Sequence, residues 1–163
     1  MRVWGVTGWK NSGKTHLTER LVAEITGRGF TVSTIKHAHH DTDIDQPGRD
    51  SYRHREAGAR EVIVASPARW ALMHELRGAG EPPLEDLIAR LSPVDLVLVE
   101  GYKRAPHPKI EAHRVETGRP LLAPANASVR AVASNGQPDV PLPVFDLDDT
   151  AAIADFILAE VGL

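Results

Sequence analysis

The segment from Gly8 to Thr15 constrains the fold of this chain more than any other part of the sequence. It reads Gly-Trp-Lys-Asn-Ser-Gly-Lys-Thr and matches the pattern G-x-x-x-x-G-K-[ST] at every fixed position. Phosphate binding requires this spacing, because glycines let the backbone curve closely around a phosphate with its N–H groups pointing inward. The helix that follows adds the positive end of its dipole. The pattern therefore predicts a strand, a phosphate-binding loop and a helix, in that order.

Each side chain of this loop has an expected role in binding a nucleotide. We expect Lys14 to reach the β- and γ-phosphates and the Thr15 hydroxyl to ligate Mg²⁺. The flanking sequence agrees, since residues 2–7 are of β type and residues 14–28 have one apolar helical face. The predicted nucleotide-binding set is Gly8, Asn11, Ser12, Gly13, Lys14 and Thr15.

A second acidic group is expected near the metal, at the end of a neighbouring hydrophobic strand. Residues 94–99 are the most apolar strand pattern in the chain and lead directly into Glu100, which favours a central strand buried on both faces. Most P-loop proteins carry Asp at this position. Glu100 is one methylene longer, so it is the candidate to touch Mg²⁺ directly, to touch it through water, or to orient the attacking water. A purely structural carboxylate is the alternative.

A polar stretch from Lys36 to Ser51 follows the second predicted strand, at the sheet edge where parallel α/β proteins bind ligands. It holds three histidines and four aspartates, and loops of this length are typically functional or disordered. We interpret it as a switch whose order depends on the γ-phosphate, because Asp41, Asp43 and Asp45 repel one another without a cation. A solvated loop and a metal site are the alternatives. The switch and partner candidates are Lys36, His37, Asp41, Asp43, Asp45, Asp50 and Ser51.

The alternation of helical and strand patterns indicates one α/β domain over residues 1–163. It is typical of a three-layer P-loop fold with a mainly parallel sheet and some antiparallel edge strands. We expect strands over 61–66 and 69–75 that turn at Pro67, and an edge strand over 109–114.

A short helix is predicted from Asp50 to about Gly58, with Asp50 as its cap. We expect Arg53, Arg55 and Arg60 to lie on one exposed surface of it. A last helix is expected to be capped by Asp148 or Asp149.

Composition excludes several classes of protein. The 19 Lys and Arg residues against 22 Asp and Glu residues give a net charge of −3, which argues against a dedicated nucleic-acid binder. The absence of cysteine excludes disulfides, Cys-based metal sites and thiol catalysis, and it fits a reducing cytoplasm. No stretch approaches 18 uninterrupted apolar residues, so we expect no membrane span.

Several blocks of the sequence, in this order, closely resemble the molybdopterin-guanine dinucleotide biosynthesis adaptor proteins, the MobB family. The resemblance covers roughly residues 1 to 135 and is specific where a histidine–aspartate–Pro-Gly block accompanies Glu-Gly-Tyr-Lys. The blocks are Asn11–Thr15, Ile35–His37, Asp43–Asp45 with Pro47, Gly48, Asp50 and Ser51, Arg55–Ala59 and Val99–Lys103.

The resemblance implies a GTP-binding P-loop protein, usually a homodimer, that uses Mg²⁺ and has at most weak GTPase activity. It also implies partners: the guanylyltransferase that joins GMP to molybdopterin, and molybdopterin-carrying proteins. Carried over by position, it assigns phosphate and Mg²⁺ binding to the fixed positions of the glycine-rich motif and the acidic-strand role to Glu100. His16 stands where many relatives have a second threonine. The motif positions are Gly8, Gly13, Lys14 and Thr15.

Two other functions stay open from the residues themselves. A small-metabolite P-loop kinase needs an arginine-bearing lid and an activating Asp, and residues 41–60 contain both residue types. A nickel-insertion GTPase would use the histidines of residues 37–40, although such proteins usually carry a cysteine relay that this chain lacks. The guanine-specific pattern N-K-x-D does not occur, so base identity does not follow from a motif; Asn135 and its neighbours are expected near the base.

Overall fold

A computed structural model describes residues 1–38 and 43–163 of the chain. The chain divides into two compact units: Met1–His37 with Leu84–Leu163 form the first, and Ala38–Pro83 form the second. That all 163 residues act as one nucleotide-binding domain stays a prediction.

Strands and helices alternate over the first part of the described chain, as the sequence pattern predicts, whereas later strands also follow one another with no α-helix between them. The strands are β1 (Arg2–Thr7), β2 (Val32–Lys36), β3 (Glu61–Ala65), β4 (Trp70–His74), β5 (Leu96–Glu100), β6 (Lys109–His113), β7 (Val129–Ser134) and β8 (Val144–Asp146). The helices are α1 (Lys14–Gly27), α2 (Asp50–Glu56), α3 (Leu84–Ile88) and α4 (Thr150–Val161).

The first unit is built on a parallel sheet with the strand order β2-β5-β1-β6-β7-β8 among the described residues. Each neighbouring pair in it is parallel. The antiparallel pair β3–β4 forms a separate two-stranded sheet in the second unit. The predicted mainly parallel α/β fold is confirmed, and the antiparallel strands lie in their own sheet.

Helices cover both faces of the parallel sheet. Successive residues of a strand point to opposite faces: Leu96 and Leu98 of β5 pack with α1 and α4, whereas Val97 and Val99 pack with α3. β5 is buried along its whole length, which confirms the predicted central strand. No helix in the described ranges has the length and apolar character needed to cross a membrane.

The prediction of an edge strand over 109–114 is wrong, because β6 lies between β1 and β7. Lys109 and Glu111 are charged residues that suggest a solvated edge, yet both are fully buried. The Lys109 ammonium donates to the Ala105 carbonyl. The Glu111 carboxylate accepts hydrogen bonds from the backbone N–H groups of residues 122 and 123 at 2.8 to 2.9 Å. Backbone groups thus satisfy both charges: a carbonyl four residues before Lys109, and N–H groups 11 and 12 residues after Glu111.

In the second unit, α2 differs from the prediction at two positions. Its N-cap is Arg49, with no capping side-chain hydrogen bond, so Asp50 is a first-turn residue and not the cap. The Arg55 side chain is only 13% exposed and binds Asp43, Asp45 and Glu75. Arg55 therefore does not lie on an exposed arginine surface. The last helix agrees with the prediction, since Asp149 Oδ1 accepts from the Ala152 N–H at 3.1 Å.

Candidate phosphate-binding site

The loop between β1 and α1 has a backbone that glycine makes possible. Gly8 has φ = 142°, and a Cβ atom there would lie 2.3 Å from the Ala112 carbonyl oxygen and 2.5 Å from Ser12 Oγ. Gly13 has φ = 93° and is the N-cap of α1. L-residues adopt such φ values at a cost. The loop therefore turns tightly against the neighbouring strand before the helix begins.

The start of α1 presents polar groups suited to an anion. Among the described residues, no side chain caps this helix and its first turn has no acidic residue. The first N–H groups of a helix lack intrahelical partners. The Ser12 hydroxyl is buried and finds no hydrogen-bond partner in the part of the chain that the structure describes, and such groups are costly unless something satisfies them. These donors fit a phosphate.

The Lys14 ammonium lies inside this loop. Its Nζ donates to the Trp9 carbonyl oxygen at 2.6 Å. Burial lowers the pKa of Lys14, Glu100 acts in the opposite direction, and the charges of Lys103 and Lys36 lower the pKa further. A half-buried cation with other cations nearby is stabilised by an arriving anion.

Thr15 and Glu100 come together at the carboxyl end of β5. The Thr15 hydroxyl donates to Glu100 Oε1 at 2.9 Å, and Lys36 Nζ lies 3.5 Å from the same oxygen. The register explains the meeting, because Glu100 pairs with Val6 of β1 on one side and with Lys36 of β2 on the other. The Glu100 side chain is 10% exposed. A hydroxyl and a carboxylate side by side are the oxygen donors that Mg²⁺ prefers.

The turn after β5 packs against the phosphate-binding loop. Tyr102 has φ = 42°, and its ring stacks on His37 with centroids 4.6 Å apart. Lys103 Nζ lies 4.3 Å from the centroid of the Trp9 ring, and the Lys103 carbonyl accepts from the Asn126 side chain at 2.8 Å. Trp9 also donates to the Pro120 carbonyl at 2.7 Å. The Glu-Gly-Tyr-Lys block thus contacts the loop that the motif predicted.

The switch candidates fall in different parts of the chain. Lys36 and His37 belong to the first unit and the other described candidates to the second, while Asp41 lies outside the described residues together with His39 and His40. In residues 1–38 and 43–163, no three His, Asp or Glu side chains are grouped to hold a metal ion.

Two aspartates of the second unit, Asp43 and Asp45, already have a cation beside them. Arg55 donates to Asp43 at 2.8 and 3.1 Å and to Asp45 at 3.3 Å, and its hydrogen bonds lower the pKa of Asp43. Asp45 Oδ1 also accepts from the Ser51 hydroxyl at 3.0 Å. The argument that Asp43 and Asp45 need an external cation is therefore wrong, since Arg55 supplies the charge. Asp50 remains exposed, with Arg53 at 3.7 Å.

Sequence reasoning missed Arg114, which directly follows β6 and lines a cleft of about 490 Å³ with Asn11, Lys14 and Thr15. No sequence motif includes Arg114. The available signal was that it directly follows a strand adjacent to β1, but that strand was interpreted as an edge strand, so Arg114 was not placed near the loop. Asn135 was expected near a base. Its amide accepts from the Val115 N–H at 3.0 Å and donates to Glu116, and its place near a base stays a prediction.

A parallel sheet with this glycine-rich loop between β1 and α1, and an acidic side chain at the end of β5, defines the P-loop NTPase class. Residues 3–135 match the family model of Molybdopterin guanine dinucleotide synthesis protein B, MobB. The chain belongs to this family, and the resemblance found in the sequence is confirmed.

Named relatives agree with this assignment. The chain is 42% identical over 156 residues to the molybdopterin-guanine dinucleotide biosynthesis adapter protein of Haemophilus influenzae, covering 94% of this chain and 85% of that protein. It is 41% identical over 153 residues to the Escherichia coli protein of the same name, covering 92% and 87%. The crystal structure of a MobB protein homolog from Bacillus stearothermophilus matches with a TM-score of 0.72 and 31% identity over 99% of both chains.

Proposed function

We propose that this chain is a GTP-binding adapter in molybdopterin guanine dinucleotide biosynthesis, and that it assists the guanylyltransferase that attaches GMP to molybdopterin. The observation that carries the proposal is the Thr15–Glu100 contact of 2.9 Å at the mouth of the phosphate-binding loop, in a family whose relatives are named adapter proteins. The choice of guanine rests on the family name. We propose that the chain acts in the cytoplasm.

The polar groups of the loop fit a nucleotide phosphate. The buried Ser12 hydroxyl needs a partner, and the pKa of Lys14 is lowered by burial, so both groups gain from a phosphate oxygen. Lys14 then exchanges its hydrogen bond to the Trp9 carbonyl for a charge-assisted one. The backbone N–H groups of Asn11, Gly13, Lys14 and Thr15 would complete the cradle, whereas the Ser12 N–H donates to the Trp9 carbonyl at 3.2 Å.

Thr15 and Glu100 are the residues that would hold Mg²⁺. When bound, this ion would neutralise part of the negative charge of the phosphates. Glu100 Oε1 is engaged by both Thr15 and Lys36. A carboxylate held from two sides is fixed in position, so its role is to orient the metal or a water molecule. We expect GTP hydrolysis to be weak at most.

Titration with labelled nucleotides tests this proposal. We expect GTP with Mg²⁺ to bind more tightly than ATP, and Lys14→Ala to weaken that binding, while Arg90→Ala, which removes an exposed cation of the same unit, serves as the matched control. Equal affinity for GTP in all three proteins contradicts the proposal. Rapid turnover that depends on an added phosphoryl acceptor favours a kinase instead.

The adapter role is tested with the guanylyltransferase of the same pathway. Immobilised wild-type chain and Lys14→Ala are compared for retention of that enzyme with GTP and Mg²⁺, with GDP, and without nucleotide. We expect GTP to increase retention by the wild type alone. Equal retention under the three conditions contradicts a nucleotide-dependent adapter.

Residues 37–51 are proposed to report the nucleotide state. This segment begins directly after Lys36, which contacts Glu100, and two of its aspartates, Asp43 and Asp45, are bound by Arg55. Hydrogen exchange over 37–51, with and without GTP and Mg²⁺, is the measurement, and we expect slower exchange with nucleotide. Asp45→Asn and Asp50→Asn are expected to weaken partner retention more than nucleotide binding. Identical exchange in both states contradicts the switch.

The second unit supports a homodimer. Its two-stranded sheet leaves large apolar side chains exposed, and a hairpin of two strands is marginally stable alone. These side chains are Ile63 (64%), Val64 (46%), Trp70 (66%) and Leu72 (37%). A second copy packed on one face of this sheet would cover three of these four side chains, since Ile63, Trp70 and Leu72 share that face and Val64 points to the other.

Light scattering after size exclusion measures the oligomeric state. We expect the wild type at twice the chain mass and Trp70→Lys at the monomer mass. Val115→Lys makes the same change at an exposed apolar residue of the first unit and is expected to stay dimeric. A monomeric wild type contradicts the dimer.

A further inference from the structure

Arg114 stands at the carboxyl end of β6 on a backbone that its neighbours hold firmly. Its carbonyl accepts from the Thr117 N–H at 3.1 Å and from the Thr117 hydroxyl at 2.8 Å. The next residue, Val115, donates its N–H to Asn135 Oδ1 at 3.0 Å. Arg114 is thus positioned by a short turn that is anchored to the end of β7.

The Arg114 guanidinium lies against the phosphate-binding loop. A Cβ atom built on Gly13 would lie 3.1 Å from its Nε and 3.7 Å from its Nη2. The same side chain lines the cleft that contains Lys14 and Thr15. It also lines an adjoining cleft of about 660 Å³, where Lys10 and Arg119 are the other cations.

The pKa of nearby Glu116 is lowered by the hydrogen bond from Asn135 and also by the charges of Arg114 and His113, but the Arg114 guanidinium makes no direct bond within the described parts of the chain. No hydrogen bond or ion pair joins it to a described residue, and the carboxylate of nearby Glu116 is engaged by the Asn135 amide at 2.8 and 2.9 Å. A half-buried arginine presents five N–H donors in a planar fork that matches phosphate oxygens. Its position beside Gly13 and Lys14 therefore calls for an anion.

We propose that Arg114 binds a phosphate oxygen of the nucleotide, as a second cationic ligand beside Lys14. The inference rests on the proposed GTP-binding function. β1 has β5 on one side and β6 on the other, so Glu100, which would hold Mg²⁺, lies on one side of the phosphate-binding loop and Arg114 on the opposite side. A phosphate carried by a second molecule in the adjoining cleft is the other source of the same chemistry, and the experiment separates the two.

Calorimetric titration of the full chain with GTP, GDP, guanosine and inorganic phosphate is the test. The proteins are wild type, Arg114→Ala, Arg114→Lys, Lys14→Ala and the exposed-cation control Arg90→Ala. We expect Arg114→Ala to weaken GTP binding about ten-fold or more, since a hydrogen bond to a charged group is lost. Guanosine affinity stays unchanged, because it lacks phosphate. Arg114→Lys retains part of the affinity, since the charge remains and the fork does not.

Each outcome decides the matter. Wild-type GTP affinity in Arg114→Ala overturns the inference, and an accompanying loss in Lys14→Ala leaves the proposed function standing. Weaker binding of inorganic phosphate with unchanged GTP binding also overturns it, in favour of a second phosphate-bearing molecule. An equal loss for guanosine marks Arg114 as structural. If the wild type binds no GTP, the inference about Arg114 and the proposed GTP-binding function are both contradicted. Arg114→Lys supplies the comparison if Arg114→Ala does not fold.

Discussion

Lys109 carries a charge into the interior of the sheet, and its titration predicts how stability changes with pH. The side chain is fully buried, and its Nζ donates to the Ala105 carbonyl and to the Tyr102 carbonyl at 3.5 Å. Burial lowers the pKa of Lys109 from 10.5 to about 8, because a low-dielectric interior disfavours the ammonium.

The size of the effect follows from the two pKa values. An unfolded chain exposes Lys109 to water and restores its pKa to 10.5. Between pH 8 and 10.5 the unfolded chain therefore holds a proton that the folded chain has released, so raising the pH stabilises the fold. The full difference corresponds to about 3 kcal/mol, and the interval from pH 7 to pH 9.5 contains about 2 kcal/mol of it.

Urea unfolding of the wild type and Lys109→Met at pH 7 and pH 9.5 measures this effect. Methionine keeps an unbranched chain of similar length without the charge. Between pH 7 and pH 9.5, we expect the free energy of unfolding of the wild type to rise by about 2 kcal/mol relative to that of the variant. Lys10→Met removes an exposed ammonium and is the control for other titrating groups. A free-energy difference between wild type and Lys109→Met that does not change with pH refutes the reasoning.

Four further predictions concern the loop and the strand beside it. Lys14→Ala is expected to lose about ten- to hundred-fold in GTP affinity, and Thr15→Ala to shift the Mg²⁺ dependence of binding; unchanged titrations contradict these roles. Glu100→Gln is expected to keep GTP binding while lowering hydrolysis and the metal requirement, and full retention of all three makes Glu100 structural. Gly8→Ala brings a methyl group 2.3 Å from the Ala112 carbonyl oxygen, so we expect a lower Tm and loss of binding; a variant like the wild type in both contradicts this.

The parts of the fold that the sequence predicted are those that local pattern specifies. The loop from Gly8 to Thr15 and the apolar face of α1 follow from residue spacing, and the burial of β5 follows from its continuous apolar run. Glu100 was predicted because one strand led into it. Local reasoning of this kind extends over one strand or one helix.

The failures at Glu111 and Arg55 share a different cause, because each depends on a partner distant in sequence. From the sequence alone, Glu111 is expected to be exposed to solvent. Its burial is explained only by the backbone N–H groups of residues 122 and 123, which donate to its carboxylate. Arg55 suggests an exposed helix surface until Glu75, twenty residues away, is found at 2.6 Å. A charged side chain is expected at the surface unless a partner that pairs with it in the fold is known. The pattern of a single sequence does not identify such partners.

The placement of the tryptophans gives this chain its own optical probes. It contains three tryptophans, and they lie in three unlike surroundings: Trp4 is fully buried and Trp70 is 66% exposed on the hairpin, while Trp9 lies beneath the Lys103 ammonium at 4.3 Å. Indole emission shifts with the polarity and charge around the ring. Unfolding, association of the hairpins and occupation of the loop should therefore each perturb a different emitter, and single Trp→Phe variants would assign each signal to its source.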